Sequence, residues 1–405
     1  MAELRLTPRR AVRSLASLTA VAILAFPGCS DSGSRAGAAR SESPSFARSG
    51  STAVRRVTVL PTTTHRDAGQ TVQLTATARD RKGNVISGVT FTWASNASTI
   101  AVASSSGLVT AVAMGRATIS ATGSGTTGTA TITVNASPPP GSQTVVAAGD
   151  IAQCGNSNDE ATALLVDHIR GTVAVLGDAV YENGTPTDYT NCYDPSWGRH
   201  KSRTRPAAGN HEYHTANASG YFGYFGAAAG DSAKGYYSYD LGDWHIVVLN
   251  SNCTIVSCAA RSAQEQWLRA DLMASTKSCT LAYFHHPRFS SGASHGNSID
   301  VAPFWDALYE YGAEVILNGH EHLYERFALQ TPRAVSDPVN GIRQFTVGTG
   351  GRAFSSIGRI RRNSQVRNNT TYGVMRLTLG AGTYSWQFVP VAGRTFTDSG
   401  TGSCH

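Results

Sequence analysis

The sequence predicts an α/β domain in which two stacked sheets lie between helices, preceded by a small all-β sandwich. From residue 144 onward, apolar strand-like runs alternate with helical segments, the pattern of a layered α/β fold. From residue 55 to about 135, short alternating strands follow one another between Gly-containing turns. The 405 residues are enough for two or three domains with at least one sizeable core.

The net charge of +7 is concentrated at the N-terminus. Residues 1–56 hold nine arginines and three acidic residues, which accounts for +6 of the total. The rest of the chain is nearly neutral and lacks the dense Lys/Arg groove that a polyanion requires. We therefore expect no nucleic-acid-binding groove.

The N-terminal segment has the layout of a secretory signal peptide. Four arginines precede an apolar run, residues 15–26, which is too short to span a bilayer as a mature helix. Gly28-Cys29 after this run resembles a bacterial lipoprotein cleavage site. We predict a lipoprotein-type signal peptide at 1–28, a flexible tether at 29–53 and membrane contact only through a lipid on Cys29. The alternative is plain secretion; both place the protein outside the cytoplasm, at the cell envelope or extracellular.

The six remaining cysteines predict disulfides, since their number is even and the protein is expected to be exported. Cys253 and Cys258 are close enough in sequence to pair across a small loop. The other four allow three pairings, and the sequence does not choose among them: Cys154, Cys192, Cys279 and Cys404.

The all-β segment is expected to fold by packing alone, since it has no cysteine. In "QTVQLTATARD", apolar Val72 and Leu74 alternate with polar residues, as in a half-buried strand. Together with "FTWASN" and "IAVASSSGLVTAVAMGRATISAT", this segment resembles the bacterial immunoglobulin-like family, group 2. The resemblance implies a spacer or an adhesin at 54–136, with cell-surface glycans as a candidate contact. "SPPPGSQ", 137–143, reads as a Pro-rich linker.

The α/β segment begins with the buried strand "TVVAAGD". A helix is predicted over 156–169, with one apolar stripe formed by Ala161, Leu164, Leu165 and Ile169. Further strands are predicted in "TVAVLGD", "HIVVLN", "TLAYFHHP" and "EVILNGHEH", and further helices in "SAQEQWLRADLMAS" and "IDVAPFWDALYEYG".

Five strands or their exits carry groups that bind metal ions. Loops at the carboxyl ends of strands in an α/β sheet share one crevice, so residues far apart in sequence can converge there. Each fragment alone is weak evidence, but all of them in this order are hard to produce by accident. The residues are Asp150, Asp178 with Tyr181, Asn210 with His211, His285 with His286, and His320 with His322.

Residues 144–392 resemble the calcineurin-like metallophosphoesterases, and among them most closely the purple acid phosphatases. Their motifs are present as "DIA", "GDAVY", "GNHE", "AYFH" and "GHEH". Ala152 and Ala282 depart from the usual motif residues, but neither change removes a ligand. The resemblance implies a four-layer αββα metallophosphoesterase sandwich, followed by a C-terminal tail at 393–405.

The resemblance also implies two metal sites. Many relatives have a ligating histidine where this chain has Ala152, and the purple branch has a tyrosine at the position of Tyr181 instead. A phenolate is a hard anion that suits a trivalent ion. Asp150, Asp178, Tyr181 and His322 would hold iron(III), and Asp178, Asn210, His285 and His320 a second ion, Fe(II), Zn(II) or Mn(II). The alternative for Tyr181 is a packed aromatic residue.

The implied reaction is hydrolysis of small phosphate monoesters by a metal-bound hydroxide. Two ions of total charge 5+, two carboxylates, one phenolate and one hydroxide leave about +1, which attracts a phosphate dianion. Alternatives are a phosphodiesterase or nucleotidase on the same metals, or a cell-surface adhesin whose α/β domain is vestigial.

Two histidines are candidate catalytic residues by this resemblance. His211 would contact phosphate and protonate the leaving oxygen; the alternative is a structural histidine. His295 would contact phosphate; the alternative is an exposed loop histidine. Adjacent strand residues point in opposite directions, so only one of His285 and His286 can face the ions, and the spacing to Pro287 favours His285.

Overall fold

The computed structural model describes residues 53–135 and 139–405, which form one compact unit. The predicted signal peptide, Cys29, nearly all of the predicted tether and residues 137–138 of the linker lie outside the described residues. In the described part, no helix combines the length and apolar character that crossing a membrane requires.

The N-terminal domain is the expected β-sandwich. It has a four-stranded sheet in the order β2-β9-β8-β5, a three-stranded sheet β3-β7-β6 and the pair β1-β4. Its core includes Val59, Leu74 and Ile119, each at most 1% exposed. The strands are β1 Arg56–Leu60, β2 Thr63–Asp67, β3 Thr71–Gln73, β4 Thr75–Arg79, β5 Thr92–Ser95, β6 Ala101–Ala103, β7 Leu108–Ala111, β8 Gly115–Gly123 and β9 Thr126–Asn135.

The second domain contains two large mixed sheets and a short parallel pair. Its strands are β10 Gln143–Ala148, β11 Ala152–Gln153, β12 Thr172–Leu176, β13 Val180–Tyr181, β14 Thr204–Ala207, β15 Tyr237–Leu241, β16 Trp244–Val248, β17 Cys279–Tyr283, β18 Val315–Asn318, β19 Tyr324–Phe327, β20 Arg343–Val347, β21 Ser364–Asn368, β22 Gly373–Gly380, β23 Thr383–Pro390 and β24 Ser399–Ser403. The α-helices are α1 Asn158–His168, α2 Pro186–Asp188, α3 Ser219–Phe225, α4 Ala263–Ala274 and α5 Ala302–Glu310.

The two large sheets face each other across the main core. One has the order β14-β12-β10-β22-β23-β24, and the other β15-β16-β17-β18-β20-β19-β21. Alternation along β16 divides the apolar residues between two layers. Ile246 and Val248 pack in the core between the sheets, whereas Val247 packs on the side of α4 and α5. The predicted four-layer αββα architecture is confirmed.

Helix α1 packs on the second domain mainly through residues outside the stripe that the sequence predicted, although Ile169 of the stripe is buried in the core and Leu165 packs against it. Its buried residues are Asp159, Thr162, Ala163 and Val166. By contrast, the side of the helix that carries Leu164 is not covered by this domain, and Leu164 remains 49% exposed. Apolar periodicity indicates that a helix has an apolar face, but it does not identify what covers that face.

Three disulfides join all six cysteines of the described part. Cys253 pairs with Cys258, as expected. Two further disulfides settle the pairing that the sequence left open: Cys154–Cys192 and Cys279–Cys404. Strand β24 lies within the predicted C-terminal tail and pairs with β23 at the edge of the first sheet. Because Cys279 begins β17 of the second sheet, the Cys279–Cys404 disulfide connects the two sheets.

The disulfides are predicted to differ in their contribution to stability. The Cys279–Cys404 disulfide closes a loop of 125 residues and the Cys253–Cys258 disulfide a loop of 5. Chain entropy predicts that replacing both cysteines with serine costs about 5 kcal/mol for the first and about 2 kcal/mol for the second. Calorimetry on the two double variants measures this difference. Equal losses would contradict the assignment of the long-range disulfide as the main covalent constraint.

Candidate metal centre

Five parallel strands from the two large sheets deliver the predicted ligands to one place. Strands β10, β12 and β14 pair in parallel in the first sheet, and β17 and β18 pair in parallel in the second. The predicted ligands follow the carboxyl ends of these strands: Asp150, Asp178, Asn210, His285 and His320. This is the convergence that the sequence predicted.

Tyr181 lies between the two aspartates. Its hydroxyl is 2.9 Å from Oδ1 of Asp150 and 3.0 Å from Oδ2 of Asp178. The same oxygen is 3.2 Å from Nε2 of His322. Four predicted ligands thus surround one point, and Tyr181 is more than a packed aromatic residue.

The other predicted ligands also meet at Asp178. Nε2 of His285 lies 3.2 Å from Oδ2 of Asp178 and 3.2 Å from Oδ1 of Asn210. Nδ1 of His320 is also 3.2 Å from Nε2 of His285. Asp178 therefore adjoins both groups of donors, where a bridging ligand would lie.

Backbone hydrogen bonds fix the orientation of two imidazoles. Nδ1–H of His285 donates to the carbonyl oxygen of Leu176 over 2.8 Å, and Nδ1–H of His322 donates to that of Ala353 over 2.8 Å. In both rings this leaves the Nε2 lone pair facing the centre. Such support is typical of metal-ligating histidines.

Three predicted ligands occupy left-handed backbone conformations. The φ angle is 59° at Asp150, 48° at Asp178 and 70° at His320. Residues other than glycine rarely adopt this region, and strain of this kind is often found at functional sites. The left-handed turns direct the side chains into the crevice directly after the strands end.

Glycines let the chains approach the carboxylates. A Cβ at Gly209 would lie 2.2 Å from Oδ1 of Asp178, and one at Gly319 would lie 2.7 Å from Oδ2 of Asp150. Gly177 combines a φ of 85° with a Cβ position 2.5 Å from Nδ1 of His285. Space and backbone conformation therefore require these three glycines.

The centre concentrates negative charge out of water. Asp150 is 0% exposed and Asp178 is 1% exposed. Within the described residues, their only ion-pair partners are histidines. Burial raises the pKa of Asp150. Burial opposes ionisation of Asp178 as well, but His285 outweighs it and holds the pKa of that carboxyl well below its usual range.

The histidine and the tyrosine that contact these carboxylates both have raised pKa values. Burial disfavours the charged form of His285, yet Asp178 raises the pKa of its imidazole to about 9. Burial and the two carboxylates raise the pKa of Tyr181 well above its ordinary value, so its phenol keeps a proton when no metal is bound. The protons on His285 and Tyr181 stand where a cation would bind.

This donor set fits a pair of metal ions. Asp150, Asp178 and His285 place one ligand atom each within 4.8 Å of one another. Buried carboxylates without a fixed cationic partner are costly unless a cation joins them. Carboxylate, phenol, imidazole and amide ligands together suit iron, zinc or manganese.

Comparison with known proteins agrees with this geometry. Residues 143–324 match the model of the calcineurin-like phosphoesterase family, and residues 53–134 match that of the bacterial Ig-like domain, group 2. Residues 143–324 form a calcineurin-like phosphoesterase domain.

Similar curated proteins include plant purple acid phosphatases. Purple acid phosphatase 15 of Arabidopsis thaliana is 26% identical over 45% of this chain and 40% of its own length. Purple acid phosphatase 1 of Ipomoea batatas is 28% identical over 44% of this chain and 41% of its own length. The chain thus spans about two fifths of these relatives.

A solved structure supports the fold. A purple acid phosphatase from yellow lupin (Lupinus luteus) seeds superimposes with a TM-score of 0.51 and 16% identity. The match covers 86% of this chain and 69% of the lupin chain. The predicted resemblance to the purple acid phosphatase type is confirmed.

Glu212 holds two of the ligand loops of the phosphoesterase domain together. Its buried carboxylate accepts hydrogen bonds from the backbone N–H groups of Asp178, Ala179 and Gly209, over 2.9, 2.9 and 2.6 Å. Burial, with Asp178 nearby, raises its pKa to about 7 in the metal-free protein. The last residue of "GNHE" therefore positions the loops.

His211 lies at the edge of the centre, with a second histidine beside it. Its Nδ1–H donates to the carbonyl oxygen of Glu182 over 2.6 Å, and its Nε2 lies 3.9 Å from Oδ2 of Asp178. His214 donates to the same carbonyl oxygen over 3.0 Å. His214 was not among the predicted site residues, because it lacks the spacing of a family motif. Its spacing of three from His211, within one tight turn, was the only available signal.

His295 is exposed at the mouth of the centre, with its ring centroid 4.1 Å from that of His320. Glu321, which is fully buried, accepts the backbone N–H of His295 over 2.6 Å and so holds the loop against the "GHEH" turn. His286 does not join the ligand cluster: its Nδ1 is hydrogen-bonded to Oγ of Ser251 over 2.8 Å.

Arg352 was also absent from the predicted site residues. Its guanidinium lies 4.5 Å from the centroid of the Tyr181 ring and pairs with Glu182 over 2.7 Å. Residues 351–367 contain five arginines, and the sequence does not indicate which of them reaches the site.

Replacing Gly209 with alanine is predicted to disrupt metal binding, because the added methyl overlaps the Asp178 carboxylate. We expect Gly209→Ala to retain fewer than about half of its metal ions and to lose about 1–3 kcal/mol of stability. Elemental analysis and thermal melting measure these effects. Gly223→Ala is the matched control, since a Cβ there meets nothing within 4 Å. Full metal content in Gly209→Ala would show that the Asp178 position is not critical.

Proposed function

We propose that this protein is an exported phosphatase that hydrolyses small phosphate monoesters at two bound metal ions. One observation carries the proposal: the Tyr181 hydroxyl lies 2.9 Å and 3.0 Å from two buried carboxylates, Asp150 and Asp178. A phenolate in that position favours a trivalent ion, so we propose iron(III) beside Tyr181 and Fe(II), Zn(II) or Mn(II) beside Asn210.

The proposed ligands divide into two sets that share Asp178. One set is Asp150, Asp178, Tyr181 and His322, and the other is Asp178, Asn210, His285 and His320. When bound, the ions supply an activated water molecule and stabilise charge that develops at phosphorus. Asp178 is the one anionic ligand of the second set because Asn210 and the two histidines are neutral, whereas the first set has three anionic ligands when Tyr181 is a phenolate. The centre can therefore keep a net positive charge and attract a phosphate dianion.

The histidines around the centre are proposed to bind substrate and move protons. Since Nδ1–H of His211 donates to a carbonyl, its Nε2 is the atom that can deliver a proton to the leaving oxygen. His295 lies at the mouth, against His320, where it can contact an entering phosphate. No side chain of the protein needs to act as nucleophile, because the attacking group is water.

Export is supported by the use of cysteine. Three disulfides are typical of proteins that fold in an oxidising compartment. The basic and apolar start of the sequence adds the features of a signal peptide. We propose a lipid on Cys29, which would place the enzyme at the cell envelope. Contact of the Ig-like domain with cell-surface glycans also remains a proposal.

The first test compares monoester and diester hydrolysis, with metal content and colour as independent readouts. We expect 4-nitrophenyl phosphate to be turned over at least about tenfold faster than bis(4-nitrophenyl) phosphate, because only the monoester is a dianion. Chelation or Asp178→Asn should abolish both activities. Tyr181→Phe should remove visible absorption from the iron-containing protein.

Each outcome separates the alternatives. Faster diester turnover would favour a phosphodiesterase. Cell or glycan binding that survives Asp178→Asn, with no hydrolysis in the unaltered protein, would favour an adhesin. Full activity in a colourless, metal-free preparation would overturn the proposal.

The second test concerns His211. We expect His211→Ala to lower kcat by about 10²–10⁴ with phenyl phosphate and by less with 4-nitrophenyl phosphate, whose leaving group needs little protonation. His214→Ala is the matched control, since His214 is hydrogen-bonded to the same carbonyl oxygen. An equal loss on both substrates would indicate that His211 has a structural role.

A further inference from the structure

The apolar stripe of α1 lines a cavity between the phosphoesterase and Ig-like domains. The cavity has a volume of about 320 Å³. All four members of the predicted stripe contribute to its wall: Ala161, Leu164, Leu165 and Ile169. The stripe therefore faces a recess that neither domain fills.

The wall at the end of β23 is also apolar, whereas the Ig-like domain contributes one proline and otherwise polar residues. Pro61 of the Ig-like domain lies opposite the helix, and Val389 and Val391, at the end of β23, contribute the third side. Cavities of this size, lined mainly by apolar side chains, commonly bind small molecules and are frequent at domain interfaces.

A buried cation stands at one end of the cavity. Arg66 is 6% exposed, and within the described residues it has no carboxylate partner in an ion pair. Its Nε donates to Thr71 O over 3.1 Å, and its Nη1 donates to Thr64 Oγ1 over 2.7 Å. Nη1 also donates to His65 O, and Nη2 lies 3.3 Å from Nε2 of His168. These neutral contacts occupy four of the five N–H groups. The carboxylate that acts on the pKa of Arg66 is Asp67, and its ion pair is formed with Arg376 instead.

The cavity wall offers a further donor and no counter-charge. Nδ1 of His65 is buried without a hydrogen-bond partner in the described part of the chain. Burial and then two nearby arginines lower the pKa of His65 to about 4, so the ring is neutral at pH 7 and can carry its proton on Nδ1. The lining residues include no aspartate or glutamate. An unpaired buried cation is costly, and an anionic ligand would offset that cost.

We propose that this cavity binds a small amphiphilic carboxylate. The apolar body of the ligand lies between the α1 stripe and the end of β23, and its carboxylate lies at Arg66 and His65. At about 30 Å³ per non-hydrogen atom, the volume holds roughly ten such atoms, the size of octanoate. This site is separate from the metal centre and does not depend on the proposed function.

Isothermal titration calorimetry on the full chain tests the site with three probes of matched or reduced length. We expect octanoate to bind with a Kd of about 0.1–1 mM. Octylamine should bind at least about tenfold more weakly because its charge has the wrong sign, and butanoate because it leaves most of the cavity empty. The absence of saturable octanoate binding, or equal affinity for octylamine, would overturn the proposal.

Two variants locate the binding. Leu164→Glu places a negative charge on the cavity wall at a position already 49% exposed, so the helix is expected to remain folded. We expect it to weaken octanoate binding at least about tenfold. Met273→Glu on α4 is the matched control, because Met273 is 72% exposed and does not line the cavity. If both variants melt like the unaltered protein and bind octanoate equally, the ligand binds elsewhere and the inference fails.

Discussion

The buried carboxylate of Asp178 joins loops from the two large sheets of the phosphoesterase domain. Its Oδ1 accepts the backbone N–H of His211 over 2.9 Å, and its Oδ2 lies 3.2 Å from Nε2 of His285. The first of these groups follows a strand of one sheet, and the second follows a strand of the other. Groups from the two sheets therefore both contact the Asp178 carboxylate, whose charge would be costly to bury without them. Gathering the cation-binding groups at one point requires strained left-handed turns and glycines that allow close approach.

Sequence patterns predicted this centre because its chemistry is local to each strand exit. A strand that ends in Gly-Asp or Gly-His fixes both the backbone turn and the donor within three residues, so Asp150, Asp178 and His320 could each be recognised before the fold was known. The ordering of parallel strands then brings the exits together without further information. Tyr181 stands three residues after Asp178, at the end of β13, and its role as a ligand was implied by the family resemblance.

Features that depend on distant packing were not predictable in this way. The Cys279–Cys404 disulfide requires β24 to lie on the edge of the first sheet, beside the start of β17, and no local signal fixes that position. Arg352 reaches the Tyr181 ring only because its loop packs against the turn that follows β10. The backbone N–H of Arg352 donates to the Asp150 carbonyl oxygen over 2.9 Å. Similarly, the sequence shows the apolar stripe on α1, but it does not show that the Ig-like domain and the end of β23 lie beside it.

Direct contacts with the phosphoesterase domain show that the Ig-like domain is more than a tethered module. Asp67 of β2 pairs with Arg376 of β22 over 2.7 Å, and Nδ2 of Asn135 donates to the same carboxylate over 3.1 Å. Arg376 is 5% exposed, so loss of either partner would leave a buried charge unpaired. Strand β22 pairs directly with β10, the strand that leads to Asp150. The ion pair thus fixes the Ig-like domain to a central strand of the first sheet, so that the two domains are held in a defined relative orientation.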